Sequence, residues 1–108
     1  MSFKFVLDEN VTIPDEQLPP NIINVRELYF QNGLRQFAIE DTEFLKLARK
    51  LGYIIVTKDK GLAIRVNQSE QNVVYVVGTH YGKKWYLIPS NKRISNRKKL
   101  HEFTTTYV

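Results

Sequence analysis

Apolar residues gather in three short runs, each closed by polar or turn-forming residues. Phe3–Leu7 ends in Asp8-Glu9-Asn10, Tyr53–Thr57 ends in Lys58-Asp59-Lys60-Gly61, and Val73–Val77 ends in Gly78. Runs of this length, rich in β-branched and aromatic residues and bounded by turn residues, predict strands. Val73–Val77 is apolar throughout, as expected of a parallel strand covered on both faces. Ile22–Val25 predicts a fourth strand, placed after Pro19-Pro20, which ends any preceding helix. Between Val11 and Leu18 the pattern is mixed, and Pro14 suits the first turn of a short helix with Thr12 as its cap. Trp85–Ile88 reads either as an edge strand or as the start of a helix stopped by Pro89.

The period changes between Asp41 and Leu51. Phe44, Leu45, Leu47, Ala48 and Leu51 form one apolar face, while Lys46, Arg49 and Lys50 face water. Asp41 is the expected N-cap, Glu43 favours the first turn, and Gly52 marks the stop. The stretch from Ile22–Val25 through this helix to Tyr53–Thr57 therefore reads as a βαβ unit with parallel strands. Arg26–Ile39, with its Asn32-Gly33 turn, reads as an irregular connection containing at most a helical turn. Further helices are expected over Leu62–Gln71, where Leu62, Ala63 and Val66 share a face, and over Asn96–Phe103 with Ser95 as cap. Thr104–Val108 reads as a tail or an added strand, and Gly78–Gly82 as a loop. The expectation is a single α/β domain over residues 1–108 with a mainly parallel sheet.

Composition alters this picture little, whereas the distribution of charge alters it substantially. There is no cysteine, which removes disulfides and thiolate metal sites and suits a cytoplasmic protein. No apolar run approaches a membrane span, and Met1-Ser2-Phe3-Lys4 carries no signal-peptide pattern. Residues 1–43 hold three basic and eight acidic residues, residues 44–70 six and two, and residues 71–108 seven and one. An acidic front and a basic back suit an enzyme that binds metal through carboxylates and a polyanion through Lys and Arg.

The carboxylates occupy comparable places. Asp8 and Asp59 each follow a predicted strand, and Asp41 and Glu43 open a helix. Open α/β sheets place their sites along the carboxyl ends of their strands. If these groups converge, their mutual repulsion is offset by a hard divalent cation such as Mg²⁺ or Mn²⁺. Each residue also has a plainer role, as helix cap for Asp41 and turn residue for Asp8 and Asp59. The basic residues Lys58 and Lys60 flank the acids, and Lys83, Lys84, Arg93, Arg97 and Lys98 form a tract with Trp85 and Tyr86 among them. Cations beside aromatics suit single-stranded RNA; the alternative for Trp85 and Tyr86 is the core or a homodimer interface. His80 and His101 stand at no ligand spacing, and neither a nucleophile elbow nor a glycine-rich phosphate loop is present.

Three segments carry a resemblance. Phe5-Val6-Leu7-Asp8-Glu9-Asn10-Val11, Ile39-Glu40-Asp41-Thr42-Glu43-Phe44-Leu45 with Ala48, and Gly52 through Lys60 resemble, in matching order over roughly residues 3–78, the motifs of PIN-like domains. These include the DUF5615 and Mut7-C RNase types and, more distantly, VapC-type toxins. The resemblance implies a three-layer α/β/α fold and a Mg²⁺- or Mn²⁺-dependent endoribonuclease, often the toxin of a toxin–antitoxin pair with a cognate antitoxin as partner. It implies metal-binding roles for Asp8, Asp41 and Asp59, a further acid at Glu43, and supporting roles for Asn10 and Thr57. The family commonly carries a second Asp and a Phe after the third acidic position, where this chain has Gly61 and Leu62. That departure leaves a catalytically weak or inactive PIN-like nucleic-acid-binding module as an alternative. A third reading is a receiver-like phosphoacceptor domain, in which Asp8 and Glu9 precede a phosphorylated Asp59, followed by Thr79 and Lys83 or Lys84.

Overall fold

The computed structural model describes residues 3–13, 19–79 and 82–106. Among them are five strands and four helices: β1 (Lys4–Leu7), β2 (Ile22–Asn24), α1 (Val25–Gln31), α2 (Asp41–Leu51), β3 (Tyr53–Thr57), α3 (Lys60–Gln68), β4 (Val73–Thr79), β5 (Gly82–Ile88) and α4 (Arg97–Thr106). The strands form one sheet in the order β2-β1-β3-β4-β5. The first four strands are parallel, and β5 pairs antiparallel with β4. The α/β class and the mainly parallel sheet are as the sequence led one to expect. The short helix anticipated near Pro14, the loop residues His80 and Tyr81, and the last two residues of the C-terminal tail fall outside the described residues.

The alternation of side chains along each strand sorts the core. On one face Val6, Ile55, Val73, Tyr75 and Ile88 pack with buried residues of all four helices, among them Leu28, Phe44, Ala48, Leu62, Val66 and Leu100. On the other, Leu7, Val56, Val74 and Val76 pack with Val11, while Phe5, Ile13, Ile22 and Ile54 are partly buried around them. A three-layer arrangement is compatible with this sheet. Among the described residues, its second outer layer is the connection after β1, represented by Val11 and Ile13. Trp85 and Leu87 stand on that side of β5 and are exposed.

Several boundaries differ from the sequence reading, each for a local reason. β2 stops at Asn24, and Val25 opens α1 in place of an irregular connection. Val25, Leu28 and Tyr29 supply its buried i, i+3, i+4 face. The predicted βαβ unit is present, but β1 lies between its two parallel strands. The N-cap of α2 is Glu40, without a side-chain cap bond, and Asp41 is the first helical residue. Gly52 ends α2 at φ +77°, a left-handed conformation that suits glycine. α3 starts two residues early because Asp59 caps it, its side chain accepting from the Leu62 N–H at 3.1 Å. Gly78 and Thr79 extend β4, and Gly82 opens β5. Asn96 takes the capping role expected of Ser95, its Oδ1 accepting from the Lys99 N–H at 2.9 Å, and the helix continues to Thr106.

Asn67, one of the buried polar residues, ties the loop after β5 to α3. Its side chain donates to the carbonyl of Lys92 at 2.7 Å and accepts from the Ile94 N–H at 2.8 Å.

Candidate active site at the carboxyl edge of the sheet

The topology decides where the acids meet. From β1 the chain moves outward to β2, then returns past β1 to β3 and on to β4. The connections diverge between β1 and β3, which is the switch point where open α/β sheets form their crevices. Asp8 leaves the carboxyl end of β1 there, and Asp59 leaves that of β3 two residues after Thr57. α2 runs down the sheet to deliver β3, so its N-terminus, carrying Asp41, lies at the same edge.

Thr57 joins the first two acids. It is fully buried. Its hydroxyl donates to Asp8 Oδ2 at 2.8 Å and accepts from the Asp59 N–H at 3.0 Å. Asp8 Oδ1 accepts from the Glu9 N–H at 2.9 Å. The strand itself anchors the turn, because the Asp8 N–H donates to the Val56 carbonyl at 2.9 Å. Asn10 spans the crevice from the other side, its Oδ1 accepting from the Lys58 N–H at 3.3 Å. The two strand-end turns are thus laced together by Thr57 and Asn10.

Electrostatics single out Asp8. Burial raises its carboxyl above the ordinary value of 3.8; the bonds from Thr57 and Glu9 pull it back, and the charges of Asp41 and Asp59 push it up again. Asp41 and Asp59 are therefore both close enough to act on Asp8. Glu43 meets a different neighbour, the Tyr29 hydroxyl. That hydroxyl is buried without a well-aligned hydrogen-bond partner, and burial together with Glu43 and Glu40 pushes it up to about 12.

The donors are hard oxygens, suited to a divalent cation that keeps much of its water. Among the described residues no three acidic or imidazole side chains stand together as a ready-made metal cage. One or two of these carboxylates could hold such a cation only with water completing its shell. Gly61 sits beside this set: a Cβ there would come 3.2 Å from Asp59 Oδ1, the capping oxygen. The missing side chain thus leaves space for Asp59's bond to Leu62.

The basic residues divide. Lys58 and Lys60 flank Asp59, Lys60 in the first turn of α3. β3 pairs with β4 only through Tyr75, so the rest of β4 projects past the edge paired with β5 alone. This ribbon carries Lys83 and Lys84. Lys83 Nζ donates to the Thr12 carbonyl at 3.3 Å, on the connection after Asp8. Arg97 and Asp59 act with opposite signs on Tyr75, whose hydroxyl burial raises first. Arg93 and Lys98 are exposed, with no described contact to the acids.

Sequence reasoning missed a second element of this edge. A groove of about 350 Å³ opens beside Asp8, between the ends of β1 and β2 and the connection after α1. Asn24, Arg26 and Gln36 line it. The apolar spacing Val25-Leu28-Tyr29 was the available signal for α1; no sequence signal brings Gln36 to Asp8.

Among the described residues no helix is long and apolar enough to cross a membrane. Comparison with protein-family models, with curated proteins and with solved structures finds no match.

Proposed function

We propose that the chain is a divalent-metal-dependent endoribonuclease that hydrolyses RNA phosphodiesters at the carboxyl edge of its sheet. The supporting observation is that the Thr57 hydroxyl ties the Asp8 carboxylate to the Asp59 backbone N–H at the switch point, with the charges of Asp41 and Asp59 adding to the rise of the Asp8 carboxyl. Asp8, Asp59 and Asp41 would hold Mg²⁺ or Mn²⁺, directly or through water. When bound, the cation would lower the pKa of a water and neutralise charge on the scissile phosphate. Thr57 fixes the Asp8 carboxylate and the Asp59 backbone, so neither has to reorganise when phosphate arrives. Lys58, Lys60 and the Lys83–Lys84 ribbon supply positive charge along the path of the RNA backbone. The ends left behind are a 5′-phosphate and a 3′-hydroxyl. A toxin role with a protein antitoxin, in the cytoplasm, completes this reading.

Single-stranded RNA incubated with Mn²⁺ tests it. Cleavage that stops with chelator and in Asp8→Asn, leaving 5′-phosphate ends, is the expected result. Cleavage indifferent to both sinks the proposal. A second reading, an RNA-binding module without hydrolysis, draws on Gly61, and salt-sensitive binding without cleavage would favour it. The phosphoacceptor reading draws less support, because Lys83 and Lys84 stand within β5, antiparallel to β4, not after a further parallel strand.

A further inference from the structure

The groove beside Asp8 is open to solvent and has its own chemistry. Leu7, Val11 and Ile13 line it together with Asn24, Arg26 and Gln36. Its volume, about 350 Å³, falls at the small end of ligand pockets. The Asn24 side chain makes no cap bond to α1, and neither its amide nor that of Gln36 bonds another described residue. Two free amides therefore border a groove of mixed polar and apolar lining next to the candidate catalytic carboxyl.

The local charge excludes phosphate as the occupant. Asp8, Glu9 and Glu27 contribute three negative charges to the lining against the single positive charge of Arg26, which is paired with Glu9 at 3.4 Å. An uncharged planar group suits the site better. Its faces would lie on the aliphatic side chains and the Arg26 guanidinium, as unstacked bases do in RNA recognition. Its edge would meet amides that both donate and accept, and carboxylates that only accept. Acceptor-rich surroundings favour a ring bearing an exocyclic amino group.

We propose that this groove seats one unstacked nucleobase of the RNA beside the scissile phosphate, preferring adenine, guanine or cytosine over uracil. The choice of a base rests on the ribonuclease reading of Asp8; the groove and its charge do not.

The test is a titration of the full chain with the 5′-monophosphates of adenosine, guanosine, cytidine and uridine, and with ribose 5-phosphate. Chelator is present throughout, and binding is followed by amide NMR. Shifts are expected at the side-chain amides of Asn24 and Gln36 and at Val11 with the amino-bearing nucleotides. Those nucleotides should bind several-fold more tightly than the uridine nucleotide, and Gln36→Ala should weaken their binding by about threefold to tenfold, the range of one ordinary hydrogen bond. Equal shifts from ribose 5-phosphate, or no shifts at millimolar nucleotide, overturn the proposal. Because no metal is present, binding does not depend on cleavage. Base binding by a chain that never cleaves RNA upholds the groove and sinks the hydrolysis, and cleavage without base binding does the reverse.

Discussion

Replacing Thr57 with Val tests the bridge between the two strand-end acids with little change of shape. Valine keeps the β-branched form that β3 accommodates and removes only the hydroxyl. The Asp8 carboxylate then loses a bond at 2.8 Å, and hydrogen bonds to charged groups contribute about 1.5–3 kcal/mol. The Asp59 N–H loses its acceptor as well, in a part-buried bond that water replaces only in part. Removing a buried hydroxyl returns some of the cost. The net destabilisation expected at pH 7 is about 2 kcal/mol, lowering Tm by about 8 °C for a domain of this size. The sign with pH follows from Asp8. Its carboxyl lies above the ordinary value, and the Thr57 bond holds it down; in the variant it moves higher still. A group raised on folding stabilises fully below its unfolded value and loses that contribution as pH rises through its folded value. The variant's deficit should therefore be larger at pH 7 than at pH 4. Urea denaturation at both pH values measures it, with Thr57→Ser as the variant that restores the hydroxyl. A deficit below about 0.5 kcal/mol at pH 7, or one that does not change with pH, would refute the reasoning.

Other expectations follow from single features. Asp8→Asn removes the raised carboxyl, so the fall in stability that Asp8 imposes as pH rises above its ordinary value should flatten; thermal melts between pH 4 and 7 check it. Asn67→Ala should cost about 2–4 kcal/mol in chemical denaturation, because a buried side chain loses several hydrogen bonds and leaves the loop after β5 untied. Gly52→Ala should cost about 1 kcal/mol, read from the same experiment, because its φ of +77° disfavours a Cβ.

The strands β1, β3 and β4 were legible because each is buried from both sides and reads as an apolar run. α2 was legible because eleven residues hold a full apolar face and end at a glycine in the left-handed region. α1 was not: seven residues offer one short stripe, too brief to stand out beside the Asn32-Gly33 turn. At the site, Asp8 and Asp59 were legible as acids closing strands, and Thr57 as the residue before the second. That Asp59 also caps α3 follows from the immediate start of the helix, which the Lys60-Gly61 pair obscured. Asn24, Arg26 and Gln36 were illegible because β2 comes to lie beside β1, and the connection after α1 beside Asp8, only through the folded topology. Asn67 looked like any polar helical residue until the loop bearing Lys92 and Ile94 closed over it.

The reversal of β5 has a consequence for how the edge responds to salt. Running antiparallel to β4, it begins where the parallel strands finish, so Lys83 and Lys84 arrive at the acidic end of the sheet and not at its opposite end. Two strand spacings, about 10 Å, separate β3 from β5. The Debye length at physiological ionic strength is about 8 Å. The cations on the ribbon and the acids at the switch point therefore feel each other in dilute buffer and become nearly independent in concentrated salt. The edge is a dipole whose strength the solution sets, negative at the end of β1 and the start of α2 and positive at β5, and a polyanion crossing it would be aligned most firmly when ions are few.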